Sequence, residues 1–360
     1  MATEELIKQG RELEQIFKTM DIYCSLEETF ENPLVQRFDF SLRDLKDYNK
    51  IKKIVEIIKI CLHKDIALTE SKNYHYAIEI KKHGETLDLT TTNNNDIQDK
   101  LSVLIGVNKL DEPIYFNAKK SIHTLISGAT GMGKTSILNN IIYGLTKQNT
   151  PQELKLYFID IKKTLGIWNG LPHLAKANIK DSYDALKKIE EIGDIMESRL
   201  EILAKRKLTK ATDDMFPRIV VVIDELADLM LSSLKRYIED GIVHIAQLGR
   251  AVNISLIIAT QNPIVKVCTT LIKTNCPTRI ALKTTSQSDS INILGNKHAF
   301  ELNGVGEGIM RSAEDSTERK FKAYYLDEKE ILKFINSAVC ILMRKSAKKN
   351  WWLKTRLPAV

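Results

Sequence analysis

Residues 128–135 read Gly-Ala-Thr-Gly-Met-Gly-Lys-Thr, a glycine-rich stretch closed by a lysine and a hydroxyl in the G-x-x-x-x-G-K-[ST] spacing that wraps phosphates. The run His123-Thr124-Leu125-Ile126-Ser127 before it is strand-like, and Ile137, Leu138, Ile141, Ile142 and Leu145 after it share one helix face. That strand–loop–helix context makes the motif a nucleotide site. Glycines let the backbone N–H groups of Gly128, Ala129, Thr130, Gly131, Met132, Gly133, Lys134, Thr135 and Ser136 curl around the phosphates of ATP, and the helix N-terminus adds positive potential. Lys134 would neutralise β/γ charge, and the Thr135 hydroxyl would ligate Mg²⁺. A second run, Ile219-Val220-Val221-Val222-Ile223, is apolar on both faces, as in a parallel sheet, and ends in Asp224-Glu225. Carboxylates at the end of such a strand fall where open α/β sheets bind ligands. Asp224 fits the Mg²⁺ side of a nucleotide site and Glu225 the base that polarises water. The same pair would equally suit the cap of the next helix.

The elements that must position these residues follow from periodicity. Residues 3–20 carry a helical stripe, 34–42 alternate as a strand, and 44–62 are helical with Tyr48, Ile51, Val55, Ile58 and Leu62 on one face. Tyr76, Ile78 and Ile80 alternate as another strand, giving a small α+β domain over 1–92. The polar run Thr90-Thr91-Thr92-Asn93-Asn94-Asn95 reads as a linker. From 101 to 335 strands and helices alternate: a strand at 154–159 ending at Asp160, a long helix over 181–207, strands at 219–223, 254–259 and 279–282, and a last helix near 328–335. Alternation of this kind predicts an α/β fold with a mostly parallel sheet.

Composition agrees with a folded enzyme-sized body. The 360 residues are 43% hydrophobic and 28% charged. No apolar stretch is long enough to span a bilayer, and the N-terminus does not read as a secretory signal. Five cysteines without a C-x-x-C pair and scattered histidines argue for reduced thiols, a cytoplasmic setting and no zinc centre. The net charge of +7 is concentrated: the last twenty residues carry six basic side chains and no acidic one. A broad nucleic-acid face on the body is therefore not demanded. Residues 336–360 form a basic tail with Trp351-Trp352 between lysines, suited to a membrane surface or a partner, or folded back on the body.

Beyond these motifs the chain resembles the FtsK/SpoIIIE family of DNA translocases. The resemblance is carried by residues 220–230 around Asp224-Glu225, by Gln247-Leu248-Gly249-Arg250-Ala251-Val252-Asn253-Ile254, by Ala259-Thr260-Gln261-Asn262-Pro263, and by residues 271–281. Asp289-Ser290 and the Gly304–Gly308 turn extend it, and residues 35–40 resemble the small domain beside the family's motor. The resemblance implies a RecA-like P-loop ATPase that forms a ring, a hexamer, around double-stranded DNA. It implies that Arg250 is an arginine finger reaching the neighbour's ATP and that Gln261 senses the γ-phosphate; a surface arginine and a strand-end turn are the plain alternatives. It implies that Lys273 lies near DNA. The loop Lys283-Thr284-Thr285-Ser286-Gln287 has donors suited to DNA phosphates, although Gln287 and Ile291 stand where the family often has basic residues. The family's membrane-spanning region and winged-helix module have no counterpart in these residues. The expected form is a stripped motor moving plasmid or mobile-element DNA, with a relaxase or membrane channel as partner. Rival readings are a nucleotide-dependent DNA-binding scaffold and a packaging- or helicase-type ATPase.

Overall fold

The computed structural model describes residues 4–32, 35–62, 66–71, 73–82, 87–89, 99–175 and 179–340; the 90–95 linker and the tryptophans of the tail lie outside them. The chain divides into two units, Met1–Leu87 with Lys109–Glu112, and Asp88–Asn108 with Pro113–Val360.

In the first unit, α1 (Glu4–Thr19) and α2 (Tyr48–Leu62) accompany β1 (Cys24–Glu31), β2 (Val35–Leu42), β3 (Ile66–Thr69) and β4 (Tyr76–Lys81), paired antiparallel in the order β1-β2-β4-β3. The alternation of Phe38, Phe40 and Leu42 turns those side chains into one core with Leu6, Phe17, Ile51, Val55 and Tyr76. Phe40 and Tyr76 stack with ring centroids 5.4 Å apart. Asp44 caps only a short 3₁₀ turn, Leu45–Asp47, so α2 begins at Tyr48 rather than at residue 44.

The second unit is a mixed ten-stranded sheet, with β5 (Leu87–Asp88) pairing β14 beside the main path. Along that path the strands are β6 (Ser102–Val107), β7 (Pro113–Asn117), β8 (His123–Ser127), β9 (Leu154–Ile159), β10 (Arg218–Ile223), β11 (Ile254–Thr260), β12 (Thr278–Leu282), β13 (Glu307–Arg311) and β14 (Glu318–Tyr325). They run in the order β7-β6-β14-β13-β12-β8-β11-β10-β9. From β9 to β12 all neighbours are parallel. From β12 to β7 all are antiparallel. The α/β fold is as the sequence predicts, and the parallel half is the part its alternation describes. Within the antiparallel wing, the β6–β7 and β13–β14 pairs are joined by connections too short for a crossover helix.

Helices α3 (Lys134–Gln148), α4 (Ser182–Lys205), α5 (Leu226–Met230), α6 (Lys235–Leu248), α7 (Thr270–Asn275) and α8 (Gln287–Leu294) flank the sheet strands in sequence. Asp181 caps α4, its carboxylate accepting from the Tyr183 and Asp184 N–H groups at 2.9 Å each. Every residue of β8, β10 and β11 is buried, and the apolar faces of α4 and α6 close over β10 and β11 in one core. Residues 328–340 form a last helix. Among the described residues no helix is long and apolar enough to cross a membrane.

Candidate functional site

The parallel strands deliver the predicted chemistry to one end of the sheet. β8 enters the glycine-rich loop, β11 lies between β8 and β10 and ends at Thr260, and β10 ends at Asp224. This is the carboxyl edge, where the crevice of an open α/β sheet binds ligands.

The loop is built for an anion. Gly133 caps α3 at φ 105°, a left-handed conformation that glycine alone adopts without strain. At Gly128 a Cβ would stand 2.7 Å from the Leu282 Cβ, so glycine lets the loop pass close to β12. The Ala129 N–H donates to the Lys283 carbonyl at 2.9 Å, and the Met132 carbonyl accepts from the Gly306 N–H at 2.9 Å. These two ties hold the loop's frame. Among the described residues, the N–H groups of Gly131, Gly133, Lys134, Thr135 and Ser136 donate to no protein acceptor. A curl of unspent donors at a helix N-terminus fits a polyphosphate chain.

The charged groups converge on the same point. Lys134 is 4% exposed and Asp224 2%. The Lys134 ammonium donates to the Asp224 carbonyl and, at 3.0 Å, to Asp224 Oδ1, with Glu225 Oε2 at 4.0 Å. Thr164 Oγ1 donates to Asp224 Oδ2 at 2.6 Å, and Asp160 receives the Leu165 N–H at 2.7 Å, which shapes the turn carrying Thr164. Thr135 is exposed at the loop. No three carboxylates, imidazoles or thiols converge on a metal centre among the described residues. A hydroxyl and one carboxylate suit instead a Mg²⁺ that arrives with phosphates.

Glu225 takes the capping role that the sequence allows and adds two further partners. Its Oε1 accepts from the Ala227 N–H at 3.3 Å and caps α5. It also accepts from Thr260 Oγ1 at 2.6 Å, while Oε2 accepts from the Gln261 N–H at 3.0 Å. Gln261 Oε1 in turn accepts from Thr130 Oγ1 at 2.6 Å. A chain of hydrogen bonds therefore runs from the glycine loop through Gln261 to Glu225.

Arg250 is not brought to this cluster. It is exposed in the 3₁₀ turn Gly249–Val252 that precedes β11, at the amino edge of the parallel strands. The seven-residue β11 separates the two edges by roughly 20 Å. Lys273 is half-buried on α7 and donates to Asn292 of α8, the helix that the loop after β12 enters. In that loop Lys283 donates to the Asn303 carbonyl at 3.3 Å, Thr284 is buried, and Thr285 donates to Asp289 at 2.8 Å. Ser286 caps α8, and Gln287 is exposed. Sequence reasoning missed Thr164, because its contact with Asp224 spans sixty positions and carries no local spacing signal.

Comparison with known proteins places this geometry. The profile of the FtsK/SpoIIIE family matches residues 88–215 and 208–265. A DNA translocase FtsK of Staphylococcus epidermidis is 30% identical over 359 residues, covering 93% of this chain and 45% of its own. The chain belongs to the FtsK/SpoIIIE family. A second FtsK, from Bacillus cereus, is 29% identical with the same coverages. The chain thus spans less than half the length of these FtsK relatives. Among solved structures, the pCW3 conjugation coupling protein TcpA in a monomer form with ATPγS has a TM-score of 0.62 at 23% identity, covering 91% of this chain and 99% of that one. The cytoplasmic domain of the Thermomonospora curvata type VII secretion ATPase EccC has a TM-score of 0.58 at 24% identity, covering 71% and 34%. These likenesses establish the P-loop ATPase fold for this FtsK/SpoIIIE member.

Proposed function

We propose that this chain is an ATP-hydrolysing motor that assembles as a ring, a hexamer, and moves double-stranded DNA. The observation that carries the proposal is the placement of Arg250. The glycine loop, Lys134, Asp224 and Glu225 crowd the carboxyl edge of the sheet, and Arg250 is exposed at the opposite edge. A guanidinium there cannot serve its own copy's site, and one that stabilises transition-state charge must act in a neighbour's. An interface that joins one edge of a copy to the other edge of the next is head-to-tail, and such interfaces form rings when the rotation between copies closes.

When bound, Mg²⁺–ATP would supply the scissile phosphoanhydride and its charge. The N–H groups of Gly131, Gly133, Lys134, Thr135 and Ser136 would hold its phosphates, and the Lys134 ammonium would leave Asp224 for them. Thr135 and Asp224 would hold the cation. Glu225, oriented by Thr260 and the Gln261 N–H, would accept a proton from water. Gln261, joined to Thr130, would report the state of the phosphates to that base. The Lys283–Gln287 loop, with Lys273, is the DNA-facing candidate. Its bond from Ala129 to the Lys283 carbonyl gives DNA contact a direct route to the glycine loop. The name carried by the FtsK relatives supports DNA as the cargo.

The test is steady-state ATP hydrolysis by the full chain with no DNA, linear duplex or single strands. Duplex should stimulate turnover, and Lys134→Ala should abolish nucleotide binding. Stimulation by single strands alone would instead favour a helicase-type motor.

A further inference from the structure

One histidine at the far end of β8 has no part in the nucleotide chemistry. His123 Nδ1 accepts the Leu256 N–H at 3.2 Å across the parallel β8–β11 pair. As an acceptor, Nδ1 leaves the ring proton on Nε2. That Nε2 is buried and has no partner among the described residues. An unpartnered buried N–H is costly, so an aliphatic residue would serve the core better. What the imidazole faces is the turn that carries Arg250. A Cβ built on Gly249 would stand 2.9 Å from the Ile254 carbonyl and in van der Waals contact with His123 Cε1 at 3.5 Å, so the ring edge lies one side-chain carbon away from the turn.

The rest of the turn is tied just as closely. The Arg199 guanidinium donates to the Val252 carbonyl at 2.8 Å, and the Ala211 N–H donates to the Ala251 carbonyl at 2.8 Å. Asn253 leaves the turn at φ 61° with its amide on the Thr212 carbonyl at 3.0 Å. Burial and the nearby Arg250 charge hold the His123 imidazole down at about 4, so the ring is neutral at physiological pH and does not repel the guanidinium.

We infer that His123 is the positioning residue of Arg250. β8 carries the glycine loop at one end and the seat of the arginine at the other. One rigid strand thereby joins a copy's own nucleotide site to the arginine it offers the next copy. This rests on Arg250 acting in a neighbour's site, and the experiment separates the two claims.

Full-length Glu225→Gln, which has an intact arginine and a dead site, is mixed with full-length Arg250→Ala, which has the reverse defect. DNA-stimulated ATP hydrolysis is then measured. The mixture should be active where neither parent is; an inactive mixture overturns the shared site and this inference with it. His123→Leu is next placed in one partner at a time. In the Glu225→Gln partner, the donor of the arginine, it should lower the mixture's rate about tenfold or more. In the Arg250→Ala partner it should leave the rate unchanged. Equal losses in both arms, or a loss confined to the Arg250→Ala arm, with the parental mixture active, would overturn the positioning role alone. His123→Asn keeps an acceptor for Leu256 but withdraws the ring edge from Gly249. It carries the same expectation if the leucine variant does not fold.

Discussion

Glu225 shows how one carboxylate ties the start of a helix to the end of a neighbouring strand. It caps α5, binds the Thr260 hydroxyl and receives the Gln261 N–H, so its oxygens are aimed before any ligand arrives. Glu225→Gln keeps one carbonyl oxygen for Thr260 and Ala227 but sets an NH₂ against the Gln261 N–H. The expected outcome is a loss of about 1–2 kcal/mol in stability, retained nucleotide binding, and hydrolysis slowed by about 100-fold or more. Phosphate release beside equilibrium nucleotide binding checks it; unchanged turnover would move the base elsewhere. Residues inside a contiguous motif, such as Lys134 and Asp224, are legible from the sequence because spacing fixes their geometry. Thr164 on Asp224 and Thr130 on Gln261 are not, since both contacts cross between strands. The serine and threonines of 284–286 read equally well as phosphate donors or as turn residues. The structure shows Ser286 capping α8 and Thr284 buried behind it.

At the scale of elements, the parallel half of the sheet was readable because its strands are wholly apolar and its helices strongly amphipathic. β1 was not: Cys24–Glu31 contains three carboxylates and no fully buried residue, so no alternation marks it. β3 is only four residues long. The β6–β7 and β13–β14 hairpins were missed because short runs joined by short loops carry no crossover signal. The antiparallel wing is not idle, since β6 packs closely on α3, the helix that leaves the glycine loop. At Gly144 an added Cβ would meet Val103 Cγ1 at 2.4 Å. Gly144→Ala should therefore force α3 and β6 apart and destabilise the chain by about 1–3 kcal/mol, measured by denaturant unfolding. An unchanged midpoint would mean that the helix is not seated as described.

For the whole molecule, the buried imidazole of His123 links stability to pH. Its ordinary value of 6.5 falls to about 4 in the fold, from burial first and Arg250 second. Between those values the unfolded chain binds the extra proton, so stability rises with pH across that window and is lost as the medium acidifies through it. The full contribution is about 3 kcal/mol. Unfolding midpoints at pH 7 and pH 4.5 should differ more in the wild-type chain than in His123→Leu; equal differences would show that the imidazole does not carry the effect. At the same scale, we propose that ATP hydrolysed in clefts shared by successive copies drives duplex DNA past the ring. Displacement of a third strand from a triplex on linear duplex tests it most directly. The full chain with Mg²⁺ and ATP should release that strand, and Glu225→Gln should bind the same DNA and release none. Hydrolysis stimulated by duplex with the triplex left intact would contradict the claim.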